Sequence, residues 1–159
     1  MGAHAIRSYV RLMELTTSPQ TIPDRNEATM RLFYSDVFIE RKFELLPELV
    51  SPEVVNHTAP PGLEHGYQPM TALVDALHGA FPDASYEVDA VVSDGDVAVM
   101  RAWYQGTHLG DFFGHAATGR SFRFMQMHWM RFGADGRIVE HWGLRDDATH
   151  LRQLGITPS

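Results

Sequence analysis

The sequence predicts an α+β domain, with helices in the first half and one curved antiparallel sheet wrapped over them in the second. Three observations carry this. Apolar residues recur at helical spacing as far as Phe81, and from Ser85 onward they alternate instead. Near the end, Ser121–Phe132 (S-F-R-F-M-Q-M-H-W-M-R-F) and Arg137–Gly143 (R-I-V-E-H-W-G) are two alternating runs joined by Gly133-Ala134-Asp135-Gly136, a hairpin turn.

The elements follow in order. Ile6–Leu15 is a short amphipathic stretch cut off by Thr16-Thr17-Ser18-Pro19, free to fray or to cover a second subunit. Residues 1–23 are read as an N-terminal extension and 24–159 as the domain. A helix starts at Asp24, read as its cap with Glu27 three residues on, and carries Met30, Phe33, Tyr34, Val37 and Phe38 on one face. Lys42–Val50 reads as a second short helix despite Pro47, and Val54–His57 as an extended segment. Tyr67–Phe81 is a third helix, stopped by Pro82. Ser85–Val92 and Val97–His108 are strands about the turn Ser93–Asp96. A Gly-rich connection over Leu109–Arg120 leads to the hairpin, and Ala148–Leu154 forms a last helical turn or two before Gly155.

Composition bounds the function. A chain of 159 residues, 44% hydrophobic, supports one domain with a real core. It has no cysteine, hence no disulfide framework, thiolate nucleophile or cysteine metal site. Its net charge of −7 argues against a phosphate-binding surface, so no nucleic-acid partner is expected. No apolar run is long enough to cross a bilayer, and Arg7, Arg11 and Glu14 interrupt any signal-like stretch. A cytoplasmic location is the default expectation.

The hairpin holds the candidate chemistry. If Phe132 pairs with Arg137, His128 lies opposite His141 and Gln126 opposite Gly143. Phe122, Phe124, Gln126, His128 and Met130 then share one face with Val139 and His141. Polar groups on an otherwise greasy face suit a pocket better than a sealed core.

Four stretches in chain order carry a resemblance: Leu63-Glu64-His65-Gly66, Gly106–Gly114 (G-T-H-L-G-D-F-F-G), Gln126–Arg131 (Q-M-H-W-M-R) and Leu151–Gly155 (L-R-Q-L-G). Through them the chain resembles the SnoaL-like polyketide cyclases, a branch of the nuclear-transport-factor-2-like (NTF2-like) superfamily. The resemblance spans about Asp24 to Gly155. It implies an NTF2-like cone that binds a flat, hydrophobic polyketide-like molecule, uses no cofactor, and closes a ring by intramolecular aldol chemistry. The family's asparagine, glutamine and histidine appear as Asn56, Gln126 and His128. Its acid/base aspartate falls at Gly143, which cannot move a proton.

His141, on the same face, is the candidate stand-in, making His128 and His141 the catalytic pair. Glu140 should point to the opposite face, and Asp146 is read as the cap of the last helix. Asn56, Gln126, Phe124, Met130, Arg101 and Trp142 make up the expected substrate-contacting set. Each has a plainer reading: a core histidine satisfied by Gln126, an Asn bonding its own turn before Pro60-Pro61-Gly62, aromatics that are simply core. His65 and His108 are read as loop-holding residues. A His128–His141 pair could supply two ligands to a metal, but no close-spaced metal motif is present and none is expected. Three functional readings follow: a cofactor-independent cyclase, isomerase or dehydratase; a hydroxylase or oxygenase partner in secondary metabolism; and a non-catalytic ligand-binding or dimerisation module. A homodimer is expected because open sheets pair through exposed faces.

Overall fold

The computed structural model describes residues 21–156. Helix α1 (Ile22–Leu32) opens the domain. Its N-cap is Thr21, whose hydroxyl accepts from the Asp24 amide at 3.3 Å, while Asp24 reaches back to the Thr21 amide. Asp24 is therefore the third helical residue of a capping box rather than the cap itself, and Pro23 sits in the first turn, where its missing N–H costs nothing. The helix continues as a π-helical stretch, Phe33–Ile39, that widens its last turns toward the sheet. The predicted second helix is shorter than expected: a 3₁₀ turn (Phe43–Leu45) and α2 (Leu46–Leu49), after which Val50 already begins β1 (Val50–Asn56). Helix α3 (Tyr67–Ala80), strands β2 (Ser85–Asp94), β3 (Val97–Thr107), β4 (Ser121–Phe132) and β5 (Ile138–Arg145), and α4 (Asp147–Leu154) complete the elements of the described residues. The segment Ile6–Leu15 lies outside the described residues.

One five-stranded sheet forms, in the order β1-β5-β4-β3-β2. Four strands run antiparallel as expected, but β1 joins β5 in parallel, so the sheet is mixed. Strand β4 alternates strictly: Phe122, Phe124, Gln126, His128, Met130 and Phe132 are buried, and their neighbours are not. The inner face packs on α1, the π-helical stretch and α2 through Met30, Leu32, Val37, Leu49, Met100 and Met130, and each such buried side chain is worth about 1.5–3 kcal/mol. A second cluster, around Phe81, Tyr104, Phe122, Phe124 and Leu154, closes the other end under α3 and α4.

The hairpin register differs from expectation. The turn closes one residue further along, with the Gly133 amide donating to the Arg137 carbonyl at 2.8 Å. Val139 then bulges between the pairs Phe132–Ile138 and Arg131–Glu140. Ile138, not Val139, consequently faces inward. The two one-residue shifts add to two, and since side chains alternate with period two, His141 keeps its inward face. His128 lies opposite Gly143 rather than His141, and His141 lies opposite Met130.

The Gly-rich connection is clamped to the end of α3: the Leu109 and Gly110 amides both donate to the Ala80 carbonyl, at 2.9 and 3.1 Å. A Cβ at Gly110 would collide with the Gly79 carbonyl, so only glycine permits this approach. His108 is fully buried beneath it, with its Nδ1 3.1 Å from the Thr118 hydroxyl. His65 makes an isolated bridge to Val55.

Candidate functional site

Between the curved sheet and the helices lies a cavity of about 410 Å³. Its walls are mostly apolar: Phe33, Phe38 and Val54 at the base, with Leu73, Leu77, Phe112, Phe113 and Leu151 toward the rim. Such a volume suits a drug-sized, largely hydrophobic molecule held by a few polar groups.

The polar groups converge on one patch. Because β1 runs parallel to β5 with Asn56 in register with His141, Asn56 Oδ1 meets His141 Nδ1 at 2.9 Å. His141 Nε2 stands 3.1 Å from His128 Nδ1. On the far side of its ring, His128 Nε2 lies 2.9 Å from Gln126 Oε1, which also accepts from the Tyr86 hydroxyl at 2.6 Å. The Tyr34 hydroxyl lies 3.4 Å from His141 Nε2, and its ring packs on that of His128 with centroids 4.6 Å apart. Thr58 braces the patch from beneath, its hydroxyl accepting from the Gly143 amide at 2.6 Å.

The electrostatics follow from burial. His128 is only 5% exposed, and desolvation, reinforced by His141 and Arg145, holds its pKa well below the usual histidine value. His141 is lowered to about 4 by burial, then by Arg145 and His57. Burial raises Tyr34 and Tyr86, so both phenols stay protonated donors. The patch is thus poised as two neutral imidazoles among neutral donors and acceptors.

Position 143 is open. A Cβ there would sit 3.4 Å from His128 Nδ1 and 3.4 Å from His141 Cε1, in ordinary contact with both. A side chain at this site would enter the cavity beside the two histidines.

Of the residues singled out from sequence, His128, His141, Asn56, Gln126, Phe124 and Met130 all line the cavity. Arg101 and Trp142 do not. Arg101 alternates with the buried Met100 and Ala102, so its side chain lies on the outer face and pairs with Asp89 at 2.6 Å. Trp142 falls between the inward His141 and Gly143 and is likewise outside, stacked on His57 with centroids 4.1 Å apart. Glu140 shares that outer face, bonded to His57 at 2.8 Å and Arg131 at 3.0 Å. Asp146 caps α4 by accepting from the Thr149 amide, which lowers its pKa.

Sequence reasoning missed Tyr34, Tyr86, Thr58, Arg145 and His150 at the cavity wall. A phenol on an otherwise apolar helical face signalled Tyr34, and alternation along β2 signalled Tyr86. Nothing local signals Thr58, since its role depends on β1 lying beside β5. Among the described residues no three His, Asp or Glu side chains cluster as a metal ion would require. No helix there is long and apolar enough to cross a membrane.

A family model described as SnoaL-like polyketide cyclase matches residues 28–154. Solved structures similar to the chain include IdmH of Streptomyces antibioticus, a candidate polyketide cyclase. It is 32% identical over 82% of this chain and 99% of its own, with a TM-score of 0.71. AclR of Streptomyces galilaeus, a candidate hydroxylase, is 25% identical over 85% and 98%, also at 0.71. A candidate SnoaL-like polyketide cyclase from Jannaschia sp. CCS1 is 18% identical over 89% and 99%, at 0.76, a likeness of fold. No functionally curated protein matches the sequence.

Proposed function

Because the chain belongs to the SnoaL-like polyketide cyclase family, we propose that its cavity performs cofactor-independent acid/base chemistry on a hydrophobic, polyketide-like carbonyl compound. The observation that carries this reading is the contact between His128 Nδ1 and His141 Nε2, 3.1 Å apart on the wall of an apolar cavity. Two buried neutral imidazoles can take one proton between them and give it back.

An intramolecular aldol closure needs no more than that. A carbon beside one carbonyl loses a proton to the histidine pair, and the resulting enolate carbon bonds to a second carbonyl carbon of the same molecule. The new alkoxide then recovers the proton, so the step balances without oxidant or reductant. The Tyr34 hydroxyl supplies a neutral donor for an oxygen on which charge develops. His141 does the work that Gly143 cannot. Isomerisation or dehydration would use the same proton traffic.

The likeness to AclR favours hydroxylation as a second reading. Consumption of dioxygen during turnover separates the two. For the acid/base reading, His128→Ala should lower turnover of a β-carbonyl polyketide mimic by about 10²–10⁴-fold, with ligand binding, followed by tyrosine quenching, little changed. Turnover unaffected by His128→Ala overturns it. Binding without turnover of any such substrate by the unaltered protein would mark a ligand-binding module instead.

The same reading includes a homodimer formed on the outer sheet face. Met127 and Leu144 are exposed there beside Trp129 and Trp142, bordered by the pairs Arg131–Glu140, Arg101–Asp89 and Arg123–Glu87. A surface carrying both signs of charge around an apolar strip can complement a second copy of itself.

A further inference from the structure

The four ring nitrogens of His128 and His141 lie in a row between two amide side chains, and one end of that row has a fixed polarity. Asn56 Oδ1 accepts the Thr58 backbone N–H at 3.1 Å, a donor that cannot reverse. Turning the Asn56 amide over would set N–H against N–H. Its oxygen therefore faces His141, and His141 Nδ1, 2.9 Å away, must carry a proton to donate.

That proton decides the rest. A neutral His141 with Nδ1–H offers a lone pair at Nε2. His128 Nδ1, 3.1 Å from it, must then be the donor, because two lone pairs at that distance repel. A neutral His128 with Nδ1–H is left bare at Nε2. The neutral chain thus has one free basic site, and it is at the Gln126 end. Gln126 differs from Asn56 in that no backbone donor fixes its amide. Its neighbour at 2.6 Å is the Tyr86 hydroxyl, which can donate to the amide oxygen or accept from the amide nitrogen. With the oxygen turned toward His128, as in the structure at 2.9 Å, the amide matches a protonated Nε2–H; turned over, its N–H matches the bare nitrogen.

We propose that Asn56 is a positioning residue that sets the direction of the proton along the histidine pair, so that His128 Nε2 is the atom that gains and loses the proton and Gln126 Oε1 is its acceptor once it is protonated. His141 then acts through His128: it accepts the Nδ1–H and spreads the positive charge when Nε2 is protonated, as an orienting carboxylate would. This rests on the acid/base reading for its relevance to turnover, but the proton positions do not. The titratable and charged groups around the pair are Tyr34 from the π-helical stretch, Tyr86 from β2 and Arg145 from β5, with Asp147 and His150 of α4 lining the same cavity and His57 on the outer face beyond β1. Arg145 and His57 disfavour charge, and the phenols remain neutral.

The test is nitrogen-15 NMR of the full chain with labelled histidine, titrated from pH 8 downward. In the unaltered protein His141 and His128 should both be Nδ1–H tautomers at neutral pH, and the first nitrogen to protonate should be His128 Nε2. Asn56→Asp keeps the acceptor and adds a negative charge, so it should raise the apparent pKa of His128 Nε2 by about one unit or more, tenfold in proton affinity. The acid limb of the turnover profile should move the same way. An Nε2–H tautomer of His141 in the unaltered protein, or an unmoved titration in folded Asn56→Asp, overturns the proposal. Failure of the acid/base reading shows differently, as unaltered turnover in His128→Ala while the parent protein keeps these tautomers.

Discussion

His128 and Gly143 stand directly opposite one another across β4 and β5, and the missing side chain at 143 leaves His128 Nδ1 to meet His141 instead of anything on its own partner residue. A carboxylate on residue 143 would compete for the same nitrogen, which now meets the imidazole two residues earlier on the same inward face.

Gly143→Asp is accordingly accommodated, since its Cβ enters at ordinary contact distance. The added charge should raise the proton affinity of the histidine pair by more than tenfold. The acid limb of any turnover profile should move to higher pH. A histidine titration that stays in place would show that residue 143 does not address the pair.

Stability should fall with acid. Burial depresses His128, His141 and His150, the last two to about 4, so the folded state binds fewer protons than the unfolded state once pH drops below the free histidine value near 6.5. The loss therefore begins near pH 6.5 and continues toward pH 4, with a limiting slope of about 1.4 kcal/mol per pH unit for each histidine. Urea midpoints at pH 7, 6 and 5 measure it, and His150→Phe should flatten the slope. Equal midpoints would mean the rings are solvated.

Phe113 sits at the cavity rim with φ of +49°, a left-handed conformation that a bulky residue adopts only at a cost of about 1–2 kcal/mol. The residue is 69% exposed, so burial does little to offset the strain. Phe113→Asn should raise the melting temperature while weakening binding of flat aromatic ligands. A lower melting temperature, or unchanged affinity, contradicts a role at the rim.

Met127→Glu combined with Leu144→Glu places like charges on the exposed outer strip. Sedimentation should show a dimer for the unaltered protein and a monomer for the double variant, with the histidine tautomers unchanged. A monomeric parent chain would end the dimer reading.

Much of this was legible in the sequence, and the reasons are local. The inward set on β4 follows from alternation alone, and the same rule excludes Trp142 and Arg101, each flanked by inward residues on both sides. The capping box at Thr21 was written as Thr-Ile-Pro-Asp but hidden behind a second plausible start at Asp24. What local patterns do not carry is pairing. The parallel seating of β1 on β5, which brings Asn56 and Thr58 to the histidines, depends on contacts more than eighty residues apart in the chain. The π-helical stretch that delivers Tyr34 has no periodicity of its own to announce it.

The bulge at Val139 makes strand length, rather than side-chain chemistry, the carrier of the inward pattern on β5. Were β5 to straighten and admit Val139 to regular pairing, Glu140 and Trp142 would swing into the cup and the imidazole of residue 141 would turn to solvent. Removing Val139 altogether has the opposite meaning: the remaining residues can zip without a kink and still deliver His141 and Gly143 to the same partners. The strand holds one residue to spare, and keeping it out of step is what lets an odd-numbered histidine answer an even-numbered one.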